Sequence, residues 1–325
     1  MDLKGPYVAL GDSYSAGEGL APYEQGTQDL PAGDRCHRSA SDAYPLLLRL
    51  TDTTTLDFRA CSGAKIVNVF DLVQDHSGVP DSDGLQAGPG TLSPDVKLVT
   101  LTMSGNDLGF ANVLGRCFTT TGCMEKPYLD QPTLTAWLDN RLAQIGTQLL
   151  SLYQRIATAA QSARILVLGY PLLLPTNIPS ALSHPLCHVL FNRLGNQERD
   201  QIRSYIGRLD DTIQTDAAQA GIEYVDTASL FSGHGVCTGD AWIRFVGIDI
   251  RHLLDSGVSH AISDGTFHPN GTGQTMFARI VSCFVQINAA PQRTNGSQTT
   301  STSSPSNVAS TATMQDCVFA AEPSP

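Results

Sequence analysis

The 325-residue sequence is short of cations: 20 Lys and Arg stand against 31 Asp and Glu, a formal net charge of −11 at pH 7. Such a chain lacks the clustered Lys and Arg that grip a phosphate backbone, so nucleic acid is not an expected partner. Long apolar runs are missing too. The longest stretches, such as ILVLGYPLLLP at residues 165–175, fall short of the roughly 20 residues that span a bilayer, and their Gly and Pro interrupt a helix. No transmembrane segment is read. The opening MDLKGPY is not a signal peptide and no segment repeats. There is neither a Cys-x-x-Cys pair nor a Cys/His cluster of zinc-finger spacing, and no metal or other cofactor is expected.

What the sequence does contain is eight cysteines: Cys36, Cys61, Cys117, Cys123, Cys187, Cys237, Cys283 and Cys317. An even count without metal-site spacing reads as disulfides, which persist in oxidising compartments. A secreted or extracellular protein is therefore expected, in a mature form with an added or retained Met. The competing reading is a cytosolic protein with eight reduced thiols, since free Cys often serves as a small core residue.

The length fits one α/β domain with long loops and a tail. Five short, β-branched, buried-looking stretches read as strands: residues 7–11, 54–60, 96–105, 163–170 and 222–227. Helical periodicity is clearest at 133–162 and 189–220. Strand–helix alternation predicts a parallel sheet covered on both faces. From residue 289 to 325 the composition turns to QRTNGSQTTSTSSPSNVASTAT and similar, which cannot bury enough surface to offset chain entropy. Residues 1–288 are thus expected to form the domain and 289–325 a Ser/Thr-rich tail or linker, which Cys317 is able to tie back. The Asn-Gly-Thr and Asn-Gly-Ser sequons at Asn270 and Asn295 matter only in a glycosylating host.

Four segments carry chemistry. GDSYSAGEG, residues 11–19, follows the first strand and presents Ser13 where open α/β sheets place their sites. Alternatively, Ser13 merely caps the next helix. ACSGAK at 60–65 follows the second strand, and its Gly63 brings a bare backbone N–H near a ligand. SGNDLGF at 104–110 ends the third strand and offers the Asn106 amide. DGTFHPNGTGQ at 264–274 holds His268 in a polar loop. Each alone is weak, since a loop His is usually structural and an Asn after Gly usually a turn former. Together they supply a nucleophile, a base titrating near neutral pH and donors for a tetrahedral oxyanion.

These four blocks resemble those of the SGNH, or GDSL-type, hydrolases: GDSYSAGEG with Ser13, CSGA with Gly63, SGND with Asn106 and HPN with His268. CHRSASDAYP at 36–45, the cysteine before Ser62 and the close Cys117/Cys123 pair look like the actinobacterial, disulfide-bearing branch of secreted esterases and lipases. The resemblance implies a three-layer flavodoxin-like fold with a five-stranded parallel sheet and no cofactor. It also implies hydrolysis of carboxylic esters through an acyl-enzyme on Ser13, with His268 as base and Ser13, Gly63 and Asn106 as oxyanion donors. The bridges Cys36–Cys61, Cys117–Cys123 and Cys187–Cys237 are likewise implied by it, and Cys283–Cys317 remains by elimination. No Gly-x-Ser-x-Gly elbow surrounds Ser13, which disfavours the other common serine-hydrolase fold.

Here the sequence departs from the family pattern, which puts an Asp three residues before the His: that position is Gly265, and Asp264 lies one step further back. Asp264 is expected as the third catalytic member, with a backbone carbonyl near Gly265 as the alternative. The substrate is expected to be a lipid or small-molecule acyl ester and the chain a monomer. Two further readings stand beside this one: a deacetylase of polysaccharides such as acetylated xylan, and a non-catalytic surface-binding domain. Segments 75–94 and 233–263 are the expected discriminators; Trp242, Phe245 and IDIRHLLDSGV are either an apolar lid or core packing, the commoner fate of such residues.

Overall fold

The computed structural model describes residues 4–48, 53–178, 186–245 and 265–289. The first strand, β1 (Gly5–Ala9), leads into a single helical turn, α1 (Ser13–Ala16), and after a long loop into α2 (Tyr44–Leu47). Strand β2 (Thr53–Phe58) follows, then α3 (Val67–Phe70) and a small hairpin of β3 (Asp75–His76) and β4 (Val79–Pro80). The next units are β5 (Leu98–Leu101), α4 (Gly105–Leu108), α5 (Phe110–Thr119), α6 (Leu134–Ala159) and β6 (Arg164–Leu168). Then come α7 (Leu186–Arg193), α8 (Asn196–Ala220), β7 (Glu223–Val225), α9 (Thr227–Leu230) and α10 (Gly271–Ala289).

The main sheet is parallel throughout, in the order β2-β1-β5-β6-β7. Its middle strands are buried along their length, as a sheet covered on both faces requires: Val8, Ala9, Leu98, Val99, Leu101, Leu166, Val167 and Leu168 are all in the core. Helices α6 and α8 pack on one another, and α10 packs on α2 and on β7, giving the layered α/β arrangement. On α6 the buried residues Leu138, Leu142, Ile145, Leu149, Leu152 and Ile156 recur every three or four positions, one face of a 3.6-residue helix.

Every strand read from the sequence is present but ends sooner at its C-terminal end, where only single hydrogen bonds such as Leu10 N–H to Thr100 O and Arg59 N–H to Ala9 O carry the pairing into the loops. The continuous helix expected over 189–220 is two helices. Leu194 still closes the last turn of α7 through its N–H to Leu190 O at 2.8 Å, but Gly195 takes an extended conformation. Gly195 leaves the helix through its ψ of 169° at an ordinary φ of −59°, while the apolar periodicity runs through it unchanged. Of the two readings of Trp242, the core one holds. The side chain is buried, stacked on His234 at 3.5 Å and edge-on to Phe231, in the core beneath α10. Residues 246–264, which include most of the remaining lid candidate, lie outside the described residues.

Three disulfides join Cys36 to Cys61, Cys117 to Cys123 and Cys187 to Cys237. Cys283, on α10, is also in disulfide form, and its expected partner Cys317 lies outside the described residues with the rest of the tail.

Candidate active site

The chain runs from β1 to β2 on one side and then crosses to β5 on the other, so the strand order reverses between β1 and β5. A crevice opens at the carboxyl ends of the strands at such a reversal. Three loops meet there: Gly11–Ser13 from β1, Cys61–Gly63 from β2 and Ser104–Asn106 from β5. Parallel neighbours keep them adjacent, and the ladder continues past the strand ends through Asp12 N–H to Thr102 O (3.0 Å) and Cys61 N–H to Gly11 O (3.0 Å).

Gly11 has φ +131°, and a Cβ there would meet Ser15 Oγ at 2.5 Å and Thr102 O at 2.7 Å. Only glycine fits. Its N–H and C=O are both held by the Gln86 side-chain amide at 2.8 Å. Asp12 is the N-cap of α1: Oδ1 accepts from Tyr14 N–H (3.1 Å) and from the Thr102 hydroxyl (2.7 Å), and Oδ2 accepts from the Tyr170 hydroxyl. Burial raises its pKa from the ordinary 3.8 to about 6, against those lowering hydrogen bonds. Tyr170 in turn accepts from Gly105 N–H at 2.8 Å, tying the Ser13 turn to the Asn106 turn.

Ser13 therefore begins the helical turn rather than capping it, and is only 8% exposed. Its Oγ lies 2.7 Å from His268 Nε2, and His268 Nδ1 lies 3.1 Å from Thr266 O. The His268 loop is pinned by the next residue in the nucleophile segment. The Tyr14 hydroxyl donates to Phe267 O at 2.6 Å, and the Tyr14 ring lies 5.0 Å from the imidazole. Asp264 lies outside the described residues.

Gly63 has φ +80°, with Gln74 Nε2 and His76 Nε2 within 3.2 and 3.4 Å of where a Cβ would stand. Asn106 follows Ser104, a non-glycine at φ +104° and fully buried, and its side-chain N–H donates to Ala64 O at 2.9 Å. An Asn amide carries two N–H groups, so one remains for a ligand. Ser13, Gly63, Asn106 and His268 line one cavity. A second, apolar cavity is lined by Tyr14 and Gly105, the residues after Ser13 and before Asn106, together with Leu108, Phe110, Tyr170 and Leu173.

The residues read from the sequence that the structure describes thus converge, and it adds others. Glu18 and His37 are buried in the wall of the same cavity, with His37 Nδ1 2.8 Å from Glu18 Oε2. The only sequence signal for them was an acid among small residues in SAGEG and a His beside Cys36. Tyr14, Tyr170 and Gln86 had no local signal. One grouping of potential metal-ligand atoms occurs among the described residues, Cys36 with Cys61 and Asp81, but the two sulfurs are bonded to each other and offer no thiolate.

The parallel five-stranded sheet thus carries a serine–histidine contact at its switch point with amide groups on the flanking loops, and a serine hydroxyl beside an imidazole is able to act as a nucleophile. The chain belongs to the GDSL-like lipase/acylhydrolase family, whose sequence model matches residues 9–276. Lipase 1 of Streptomyces coelicolor is 29% identical over 272 residues, covering 83% of this chain and 82% of that protein. Among solved structures, phospholipase A1 from Streptomyces albidoflavus shares 30% identity with a TM-score of 0.59, covering 83% of this chain and 94% of its own. The extracellular lipase from Streptomyces rimosus shares 25% identity with a TM-score of 0.55 over 83% and 94% of the two chains. The protein is a carboxylic ester hydrolase. Among the described residues no helix is long and apolar enough to cross a membrane.

Proposed function

We propose that the protein is a secreted serine esterase or lipase that cleaves acyl esters through an acyl-enzyme on Ser13. The observation that carries this is the 2.7 Å contact between Ser13 Oγ and His268 Nε2. His268 takes the Ser13 proton as Oγ bonds to the ester carbonyl carbon, and the negative charge that develops on the carbonyl oxygen is met by the N–H groups of Ser13 and Gly63 and the Asn106 amide. Collapse of the tetrahedral intermediate expels the alcohol, which receives the proton from His268. Water, deprotonated by the same imidazole, then releases the acid and restores Ser13. The acceptor at Nδ1 fixes the tautomer that leaves Nε2 facing Ser13. Thr266 O at 3.1 Å supports a carbonyl in that role, with Asp264 as the carboxylate alternative.

The apolar cavity beside the oxyanion donors supports an acyl chain larger than acetyl, and segment 75–94 carries no Phe, Tyr or Trp with which to stack a sugar. The three disulfides support secretion. Ser13→Ala should abolish hydrolysis without unfolding the protein, and a fluorophosphonate should label wild-type Ser13 stoichiometrically. A variant that keeps a tenth of wild-type turnover rules out Ser13 as nucleophile. Rates on p-nitrophenyl esters from acetyl to palmitoyl should rise beyond acetyl, whereas release of acetate from acetylated xylan as the faster reaction would make the protein a polysaccharide deacetylase. Asp264→Asn costs orders of magnitude in turnover if the carboxylate orients His268, and less than about tenfold if the carbonyl does.

A further inference from the structure

The wall of the catalytic cavity contains a charged group that the reaction above does not use. Glu18 is 4% exposed, and every atom of its head group is engaged. Oε2 accepts from the Ser62 hydroxyl, His37 Nδ1 lies 2.8 and 3.0 Å from the two oxygens, and the Tyr23 hydroxyl donates to Oε1 at 3.2 Å. On the far side of the His37 ring, Nε2 lies 3.1 Å from Asp29 Oδ1, and Tyr23 stacks on the ring at 4.5 Å. A neutral imidazole has a single N–H, so only the imidazolium donates to carboxylates at both nitrogens. Glu18 is also joined to the nucleophile through the backbone: its N–H donates to Ser13 O at 3.0 Å.

We propose that Glu18 is a positioning residue for ester hydrolysis: its buried carboxylate clamps the Ser62–Gly63 turn against the Ser13 turn and supplies the anionic charge that faces His268 across the shared cavity. This rests on the roles assigned above to Ser13, Gly63 and His268. The clamp follows from the contacts. One end of Glu18 is fixed to Ser13, the other to Ser62, and the residue after Ser62 is the oxyanion donor. Gln74 Nε2, donating to Ser62 O at 2.5 Å, holds the same turn from the opposite side.

The charge has a separate effect. Burial pushes the Glu18 pKa up, but the His37 hydrogen bond and charge, with His268 and Ser62 behind them, hold it below the ordinary carboxylate value, so it stays ionised. When Ser13 attacks, His268 becomes cationic, and an anion already fixed in a poorly solvated wall stabilises that cation without reorganising. An interaction that is stronger in the transition state than in the resting enzyme accelerates the reaction. Among the described residues, the charged and titratable groups around the two are His37, Tyr23 and Asp29 on the Glu18 side, Arg244, whose guanidinium donates to Gly19 O, Tyr14 against the imidazole, and Arg35 and His76 in the cavity wall.

The test is the pH profile of kcat/KM for a soluble p-nitrophenyl ester in wild type, Glu18→Gln, Glu18→Asp and Ser62→Ala. Glu18→Gln should lower the plateau about tenfold to a hundredfold at nearly constant KM. It should also move the acid limb down by about 0.5 to 1 pH unit, because the imidazolium loses an anionic neighbour. Glu18→Asp restores the charge on a shorter stem and should return the limb to its wild-type position, with a reduced plateau. Ser62→Ala keeps the charge and loosens the turn, so kcat should fall while the limb stays. An unmoved limb in a folded Glu18→Gln overturns the electrostatic half, and wild-type kcat in Ser62→Ala overturns the clamp even if Glu18→Gln does not fold. Fluorophosphonate labelling of wild-type Ser13 separates the two levels: no labelling means the serine-esterase reading itself is wrong, whereas labelling with inert Glu18 and Ser62 variants refutes this inference alone.

Discussion

Removing the Cys36–Cys61 bond, by changing both residues to Ala, tests stability and site geometry at once. The closed loop has a sequence separation of 25, and the chain-entropy relation puts its loss at about 3.5 kcal/mol at 25 °C. The same relation gives about 2.2 kcal/mol for Cys117–Cys123, separated by 6, and about 4.1 kcal/mol for Cys187–Cys237, separated by 50. Stability alone therefore ranks Cys36–Cys61 in the middle. Activity should not follow that order. Cys61 lies two residues before Gly63, its N–H donates to Gly11 O, and Ser62 N–H donates to Cys36 O at 3.0 Å, so this bond fixes the oxyanion turn directly. Neither of the other two joins a loop that carries a residue assigned a catalytic role. Urea denaturation of the three double variants should give the stability order 117–123, 36–61, 187–237 from least to most costly. Below the unfolding transition, the Cys36/Cys61 variant alone should lose kcat, by about tenfold or more, as expected when an oxyanion donor is misplaced. Equal kcat in all three folded variants would show that Gly63 is held by its backbone contacts without the bridge, and a cost under about 1 kcal/mol for the 187–237 bond would refute the loop-entropy reasoning.

If the Asn106 amide acts on the developing oxyanion as proposed, Asn106→Ala should lower kcat by roughly a hundredfold to a thousandfold with little change in KM; a rise in KM alone would make it a substrate-binding residue. Ser104→Gly should stabilise the protein by about 1 kcal/mol in urea denaturation. Relief of a positive φ and of a buried hydroxyl that has no partner among the described residues outweighs the extra chain entropy of glycine, and a destabilised variant would contradict that balance. Asp12 predicts a pH dependence of stability. Its folded pKa of about 6 lies above the ordinary 3.8, so between those values the native state keeps a proton that the unfolded chain has released, and stability falls as pH rises through the window, by about 3 kcal/mol in all. Glu18 and Asp34, held below the ordinary value, act in the opposite sense and lose their contribution only at more acid pH. Asp12→Asn should flatten the fall in denaturation free energy between pH 4 and 7; an unchanged slope would mean that Asp12 does not carry it.

Much of the framework is legible in residue order because it depends on local pattern. Short β-branched runs alternating with 3.6-residue periodicity predict a covered parallel sheet, and the reactive residue types at strand ends predict where the chemistry sits. Ser13, Gly63, Asn106 and His268 are readable for that reason, each lying in a polar loop directly after an apolar strand or before an amphipathic helix. The α7/α8 break was not readable, since Leu194 keeps the apolar period while Gly195 leaves the helix, and a single glycine inside a periodic pattern usually stays helical. Trp242 was open to both a lid and a core reading, because burial by a distant helix leaves no mark on its neighbours.

By itself the sequence determined the class of fold, the four loops that meet at the crevice and the residues able to act as nucleophile, base and oxyanion donors. It left open which contacts these residues make, because many are set by distant groups, 44 positions away for Glu18 and Ser62 and 253 for Tyr14 and Phe267. Tertiary structure bound the Asp12 cap to Thr102 and Tyr170 and brought Tyr14 onto the carbonyl of Phe267. It also placed Thr266 O against the imidazole and closed Glu18, His37 and Ser62 into one buried network in the catalytic wall. The physical reason is that strand and helix periodicity is enforced residue by residue along the chain, whereas a buried polar group must find its partner wherever folding brings one within hydrogen-bonding distance.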